Sequence, residues 1–307
     1  MVHLVKNISL LTILAETLYN KIENLNRRHG TLSIQQINDY TVLNNGVHMP
    51  RLGLGVFQVE DGEQVINSVR HALEAGYRSI DTAAGYQNET GVGTAIKQSG
   101  IPREDLFITT KLANPDQGYE STLRAFEESR RKLDLEFIDL YLIHWPGKDK
   151  FQETWKAFEK LHKDGYIRSI GVSNFKTHHL ETLKQDSDTI PAVNQVEFHP
   201  LLNQQKLLQY CKSEGIQLEA WTPIMKGNLN LPVITELATK HGKTPAQIVL
   251  RWDIQHGIVT IPKSVHKERI IENADIFDFS LSEEDMKAID QMNQDHRFGP
   301  DPDQFLF

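Results

Sequence analysis

The chain has 307 residues, 39% apolar and 24% charged, a composition able to bury a sizeable core as one large barrel or two ordinary domains. Its 41 acidic against 33 basic residues give a formal charge of −8. That balance argues against nucleic acid and anionic membrane surfaces as partners, because either needs a basic face. A single cysteine, Cys211, excludes an internal disulfide framework and fits a reducing cytoplasm. Lying within LLQYCKSEG, the end of an amphipathic stretch, it reads as a buried, inert thiol.

Residues 1–40 read as an extension ahead of a main domain spanning 41–307. Leu11, Leu14, Leu18, Ile22 and Leu25 fall close to helical spacing and predict an appended surface helix. Lys6, Glu16 and Lys21 make the run too polar for a membrane span. No small-residue cleavage pattern follows Ala15, so a signal peptide fits poorly.

From residue 41 the chain takes up a regular beat. TVLNNGVHMPRL carries Asn-Gly between two apolar stretches, the sign of a short hairpin. Eight β-rich runs follow, over 52–57, 77–81, 106–111, 138–144, 167–173, 192–198, 217–223 and 257–263. Amphipathic stretches such as STLRAFEESRRKLDL and FQETWKAFEKLHKDG separate most of them, often closed by glycine. GVGTAI (91–96) is a partial Rossmann-like string. It lacks the last glycine and sits in a helix after Glu89, so it reads as helix–sheet packing. Two helices fall between the seventh and eighth strands. SLSEEDMKAIDQM closes the series, with Ser282 as N-cap and Asp285 in the first turn. Eight βα units predict a (β/α)8 TIM barrel with an N-terminal β-hairpin and extra helices. An open sheet of eight parallel strands would show the same periodicity.

The polar residues at the strand ends carry the functional signal. Asp81, Lys111, His144, Ser173, Asn174, Gln195 and Lys263 all fall at or near the C-terminal end of a predicted strand. Barrel enzymes gather their chemistry on that face, where the βα loops converge. Singly, each has a duller reading as a turn residue or a satisfied structural group; their joint occurrence points to a site. A pocket lysine is costly without a carboxylate, and Asp81 is the candidate partner for Lys111. Tyr86 follows Asp81 by one loop turn. A tyrosine hydroxyl is a poor acid near neutrality, with a pKa of about 10. A nearby ammonium lowers that pKa and makes Tyr86 a usable proton donor, while His144 can orient the oxygen that receives the proton. The sequence has no HExxH or CxxC, so metal chemistry lacks its parts.

At this point a resemblance emerges. SIDTAAGYQNE (79–89), ITTK (108–111), LIHWP (142–146), GVSNF (171–175) and IPKSVHKERIIEN (261–273) resemble the principal motifs of the aldo-keto reductase superfamily, in its order. The likeness covers roughly residues 41–307. RFGPDPDQF (297–305) resembles the short C-terminal loop of bacterial 2,5-diketo-gluconate and glyoxal reductases.

The resemblance implies an NADPH-dependent enzyme that reduces small aldehydes, ketones or dicarbonyls, acting as a cytoplasmic monomer. It gives Tyr86 the role of general acid, Lys111 that of its partner, Asp81 that of counter-ion and His144 that of carbonyl orienter. It places Ser173, Asn174 and Gln195 on the nicotinamide carboxamide, with Trp221 stacked on the ring where most relatives have Tyr. Lys263, Ser264 and Arg269 match the site for the adenosine 2′-phosphate, and Glu272 and Asn273 face the adenine. Phosphate also favours a helix N-terminus flanked by cations, which is the arrangement after strand eight. Phe57, Tyr86 and Trp145 would line the substrate pocket, where Ala113 replaces a tryptophan common in relatives. Two other readings stay open: an NADPH-binding regulatory subunit on this fold, as in potassium channels, and a different TIM-barrel lyase or hydrolase.

Overall fold

The computed structural model describes residues 36–305, so the helix expected near the N-terminus lies outside the described residues. The hairpin is present. β1 (Tyr40–Val42) pairs antiparallel with β2 (His48–Pro50), Tyr40 opposite Pro50. Gly46 takes φ +85° at the tip, and its N–H closes a turn onto Leu43 O at 2.9 Å. Only glycine adopts that φ without strain, so the Asn-Gly pair makes the loop tight. Met49 of the hairpin is fully buried against Leu43, Phe107, Leu140, Leu142, Val193 and Val259. Phe107, Val193 and Val259 each start a barrel strand, so the hairpin seals the N-terminal end of the barrel with apolar side chains.

Eight parallel strands follow: β3 (Gly53–Gly55), β4 (Ser79–Asp81), β5 (Phe107–Leu112), β6 (Ile138–Ile143), β7 (Ile167–Ser173), β8 (Val193–Glu197), β9 (Gln217–Trp221) and β10 (Val259–Thr260). Each pairs with the next in chain order. Parallel bridges between Leu52 and Thr260 and between Gly55 and Lys263 join the first strand to the last and decide between the open sheet and the barrel. β10 is shorter than the expected run over 257–263, because Pro262 has no N–H for the ladder. Gly55 is required at the seam: a Cβ there would lie 2.9 Å from Ile261 O.

The helices wrap the ring: α1 (Glu63–Glu74), α2 (Glu89–Ser99), α3 (Tyr119–Leu133), α4 (Phe151–Lys163), α5 (Thr177–Asp186), α6 (Gln205–Ser213), α7 (Pro232–His241), α8 (Pro245–Gln255), α9 (Lys267–Ala274) and α10 (Glu283–Asp290). α7 and α8 are the pair expected between the seventh and eighth strands. Ser282 caps α10 reciprocally with Asp285, as its sequence implied. Cys211 is buried in α6, and burial pushes its thiol up to about 12. No described helix is long and apolar enough to cross a membrane.

GVGTAI proves to be a helix–helix contact rather than helix–sheet packing. A Cβ on Gly91 would strike Val65 of α1, and one on Gly93 would strike the backbone of Leu133 at the end of α3. Alanine at position 93 would gain about 1 kcal/mol of helix propensity. It would meet an overpacking cost of about 1 to 3 kcal/mol, because backbone cannot step aside. Gly93→Ala is therefore expected to lower the urea midpoint with an unchanged m-value; a raised midpoint would show that α2 can move away from α3.

Candidate active site

Lys111, next to last in β5, points into the barrel with no exposed surface. Its ammonium meets Asp81 Oδ1 of β4 at 2.5 Å and donates to Thr82 O at 2.9 Å and Tyr86 Oη at 3.2 Å. Burial works against the charged lysine, but Asp81 and Tyr86 outweigh it and hold its pKa above the ordinary value. An isolated ammonium could not persist here; the carboxylate and two further acceptors make it possible.

Tyr86 ends a 3-10 turn (Ala84–Tyr86) after β4. The turn is stapled by Asn88, which the sequence reading passed over. Asn88 Nδ2 donates to Val56 O and Val59 O, both at 2.9 Å, and its Oδ1 accepts from Thr82 Oγ1 at 2.7 Å. The Tyr86 ring meets Phe57 at 5.0 Å and His144 edge-on at 5.6 Å between centroids. The Tyr86 pKa lies above its ordinary value, contrary to the lowering expected from the lysine alone. Burial raises it more than the Lys111 ammonium lowers it, and Asp81 and Glu219 also push it up. His144 shifts the other way, down to about 3, because burial and the Lys111 charge both oppose a second proton.

On the opposite wall, Ser173 Oγ donates to Gln195 O at 2.9 Å. Asn174, in the left-handed region at φ 65°, donates to His144 O and Ser173 Oγ at 2.9 and 3.1 Å. Its Oδ1 accepts from the Trp221 indole N–H at 2.8 Å. Gln195 Nε2 donates to Asp81 Oδ2 and to Glu219 Oε2, each at 2.8 Å. Glu219 was missed from the sequence. Its signal was there: in QLEAW, an acidic residue occupies the middle of a strand that should be buried. Burial first, and the Asp81 charge second, push its carboxyl up to about 8.

The C-terminal segment meets this mouth. Glu197 accepts from Phe298 N at 2.6 Å and Gly299 N at 3.3 Å, and Gly299 lies against the Trp221 ring. Lys176 holds Asp301 at 2.5 Å and Asp303 at 2.6 Å, and Phe305 packs on Trp145 at 4.5 Å. His178, His179 and Asp303 form a group of metal-ligand type, in which Asp303 already shares the Lys176 ammonium with Asp301. Ala113 follows β5, half-buried, two residues beyond Lys111.

The remaining predicted residues gather after β10. Ser264 is buried and accepts from His266 N at 3.1 Å. Lys263 and Arg269 are exposed and make no ion pair among the described residues. α9 begins without a side-chain cap on its backbone N–H groups. Asn273 is buried, whereas Glu272 is engaged by Thr244 Oγ1 at 2.8 Å, so it also has a structural task. The structure thus brings Asp81, Tyr86, Lys111, His144, Ser173, Asn174, Gln195 and Trp221 into one bonded network, while Lys263, Ser264, Arg269, Glu272 and Asn273 lie in the segment that follows β10.

Residues 51–294 match the model of the aldo/keto reductase family. The chain belongs to this family. As a member it is an NADP-dependent oxidoreductase. It is 61% identical over 272 residues to the glyoxal reductase of Bacillus subtilis, covering 88% of this chain and 99% of that one. It is 49% identical over 268 residues to the methylglyoxal reductase DkgA of Escherichia coli, covering 86% and 96%. Among solved structures, a Gox0644 mutant in complex with NADPH superposes with a TM-score of 0.84 at 43% identity, covering 88% of this chain and 99% of that one. An aldo-keto reductase from Bombyx mori in complex with NADP gives 0.81 at 38% identity, covering 88% and 96%.

The depressed His144 pKa has a consequence for stability. Between its unfolded value near 6.5 and about 3, the unfolded chain binds the proton that the folded chain refuses. The stabilisation is therefore complete above about pH 6.5 and is lost progressively as pH falls toward 3. His144→Gln should flatten the decline in urea midpoint between pH 7 and pH 4.5, leaving the slope due to other groups. An unchanged slope would show that His144 titrates normally in the fold.

Proposed function

We propose that this chain reduces small aldehydes, ketones or dicarbonyls to alcohols by hydride transfer from NADPH, with Tyr86 as general acid. The observation that carries this reading is the Lys111 ammonium, which bridges Asp81 and the Tyr86 hydroxyl inside the mouth of the barrel. Bound NADPH supplies the hydride. As the carbonyl carbon accepts it, negative charge develops on the oxygen, and Tyr86 donates its proton there. Tyr86 keeps that proton at neutral pH because burial holds its pKa up, while Lys111 stabilises the phenolate that remains. His144, uncharged at neutral pH, offers an N–H to the same oxygen. Phe57, in ring contact with Tyr86, and Trp145 would serve as aromatic walls, with the small side chain of Ala113 in place of a larger one.

The chain's free groups fit the cofactor. Gln195 Oε1 makes no hydrogen bond among the described residues and can accept from the carboxamide, with Ser173 and Asn174 beside it. Trp221 offers the stacking face. Lys263, Arg269 and the uncapped start of α9 fit the 2′-phosphate with Ser264, and Asn273 and Glu272 lie toward the adenine. The substrate class follows the glyoxal and methylglyoxal reductases among the relatives.

Tyr86→Phe keeps the ring and removes the acid. It should bind NADPH normally and lose about 10² to 10⁴ in kcat on methylglyoxal, the usual worth of a positioned acid. Retention of more than a tenth of the wild-type rate, with chemistry rate-limiting, would remove Tyr86 from the role.

Arg269→Ala tests the cofactor. A charge-assisted hydrogen bond contributes about 1.5 to 3 kcal/mol, so Kd for NADPH should rise at least tenfold while Kd for NADH barely changes. The wild-type preference for NADPH should shrink as salt rises, because Lys263 and Arg269 are exposed. Equal affinity of the wild type for both cofactors in a fluorescence titration would dismiss this phosphate site.

A further inference from the structure

Glu219 is wholly buried in the middle of β9, and the reduction scheme above leaves it without a task. Two carboxylates, Asp81 and Glu219, share one amide nitrogen, and a single lysine lies among them. Glu219 Oε1 is enclosed and has no hydrogen-bond partner among the described residues. Such a group is unfavourable in a low-dielectric interior, and its presence asks for a reason. The shared nitrogen supplies one.

Gln195 Nε2 has two hydrogens, and Asp81 Oδ2 and Glu219 Oε2 take one each at 2.8 Å. Asp81 is ion-paired with Lys111, so the Gln195 atom facing it is the nitrogen and not the oxygen. One acceptor tethers an amide at a point; two acceptors fix its plane. That matters because the terminal torsion of a glutamine is otherwise broad. With both N–H bonds held, the carbonyl oxygen is the part of the side chain left to meet a ligand. We propose that Glu219 is a positioning residue which, with Asp81, locks the Gln195 amide so that its oxygen receives an N–H of the nicotinamide carboxamide. The proposal rests on the reading of NADPH as the cofactor.

Glu219 needs only an acceptor oxygen for this task, not a charge. Its carboxyl, held near 8 by burial and by Asp81, is mostly protonated at neutral pH and leaves the Asp81–Lys111 pair balanced. Glutamine has the same length and keeps one acceptor. Methionine is similar in length and keeps none, so it frees one N–H of Gln195 from its acceptor while still filling the space of the carboxyl.

The experiment titrates wild type, Glu219→Met and Glu219→Gln at pH 7 with NADPH and with adenosine 2′,5′-bisphosphate, which lacks the nicotinamide. Thermal midpoints are recorded for all three. Glu219→Met should stay folded with a somewhat lowered midpoint, because one buried N–H loses its acceptor, and should weaken NADPH binding about tenfold, the worth of one well-placed hydrogen bond. Its affinity for the bisphosphate should stay within about twofold of wild type. Glu219→Gln should restore NADPH affinity to within about threefold. The proposal is overturned if Glu219→Met binds NADPH like wild type, if the glutamine variant is as weak as the methionine one, or if bisphosphate binding falls in parallel. Wild-type protein that binds the bisphosphate but shows no gain from the nicotinamide half would overturn the cofactor reading with it, a result visible before any variant is compared.

Discussion

An ammonium with no exposed surface, set 2.5 Å from a carboxylate, is the constraint on which the rest of this barrel's interior depends. Charge in such a place is tolerated only while every partner stays in position. Asp81 therefore cannot drift from Lys111. Gln195 cannot drift from Asp81, and through Gln195 the requirement reaches β8 and β9. The Tyr86 hydroxyl completes the shell from the loop side. The apolar N-terminal end, sealed by the hairpin and Met49, supplies the cohesion against which this polar cluster can be buried.

The same cluster explains why its titratable groups depart from ordinary behaviour in opposite directions. Burial raises the acids Tyr86 and Glu219, while burial and Lys111 lower the base His144. All three are thereby neutral near pH 7, and the formal charge concentrates on one ion pair. A pocket arranged in this way responds strongly to charge that develops within it, because little else there can screen it.

Much of this was legible in the chain itself. Alternating β-rich and amphipathic runs gave the eight strands, and Asp81, Lys111 and His144 stood out as polar residues where strands end, whereas Gln195, expected near an end, lies in the middle of β8. Closure was not legible, because it rests on bridges at Leu52 and Gly55, between segments some 200 residues apart. Asn88 was overlooked because a loop asparagine is ordinary, and its three hydrogen bonds join elements that local patterns do not relate. The lysine's pull on Tyr86 was anticipated, but burial was not weighed against it; how deep the ring lies emerges only from packing. The glycines of α2 were referred to the wrong partner for a similar reason, since helix periodicity shows that a face is flat without naming what lies against it.

The ring is not equally strong all the way round. β3 and β10 have three and two residues, and isolated bridges alone join them, whereas β5 and β6, six residues each, pair over four consecutive positions. Fewer ladder hydrogen bonds make this seam the segment that opens at least cost, in the sense measured by amide exchange. Lys263, which forms one of the two bridges, is also the first cation of the proposed phosphate cluster. A dianion held by Lys263 and Arg269 would therefore act as a clasp across the barrel's own join. Loading with cofactor would protect the amides of β3 and β10 from exchange more than those of β5 and β6, coupling the permanence of the ring to the filling of its mouth.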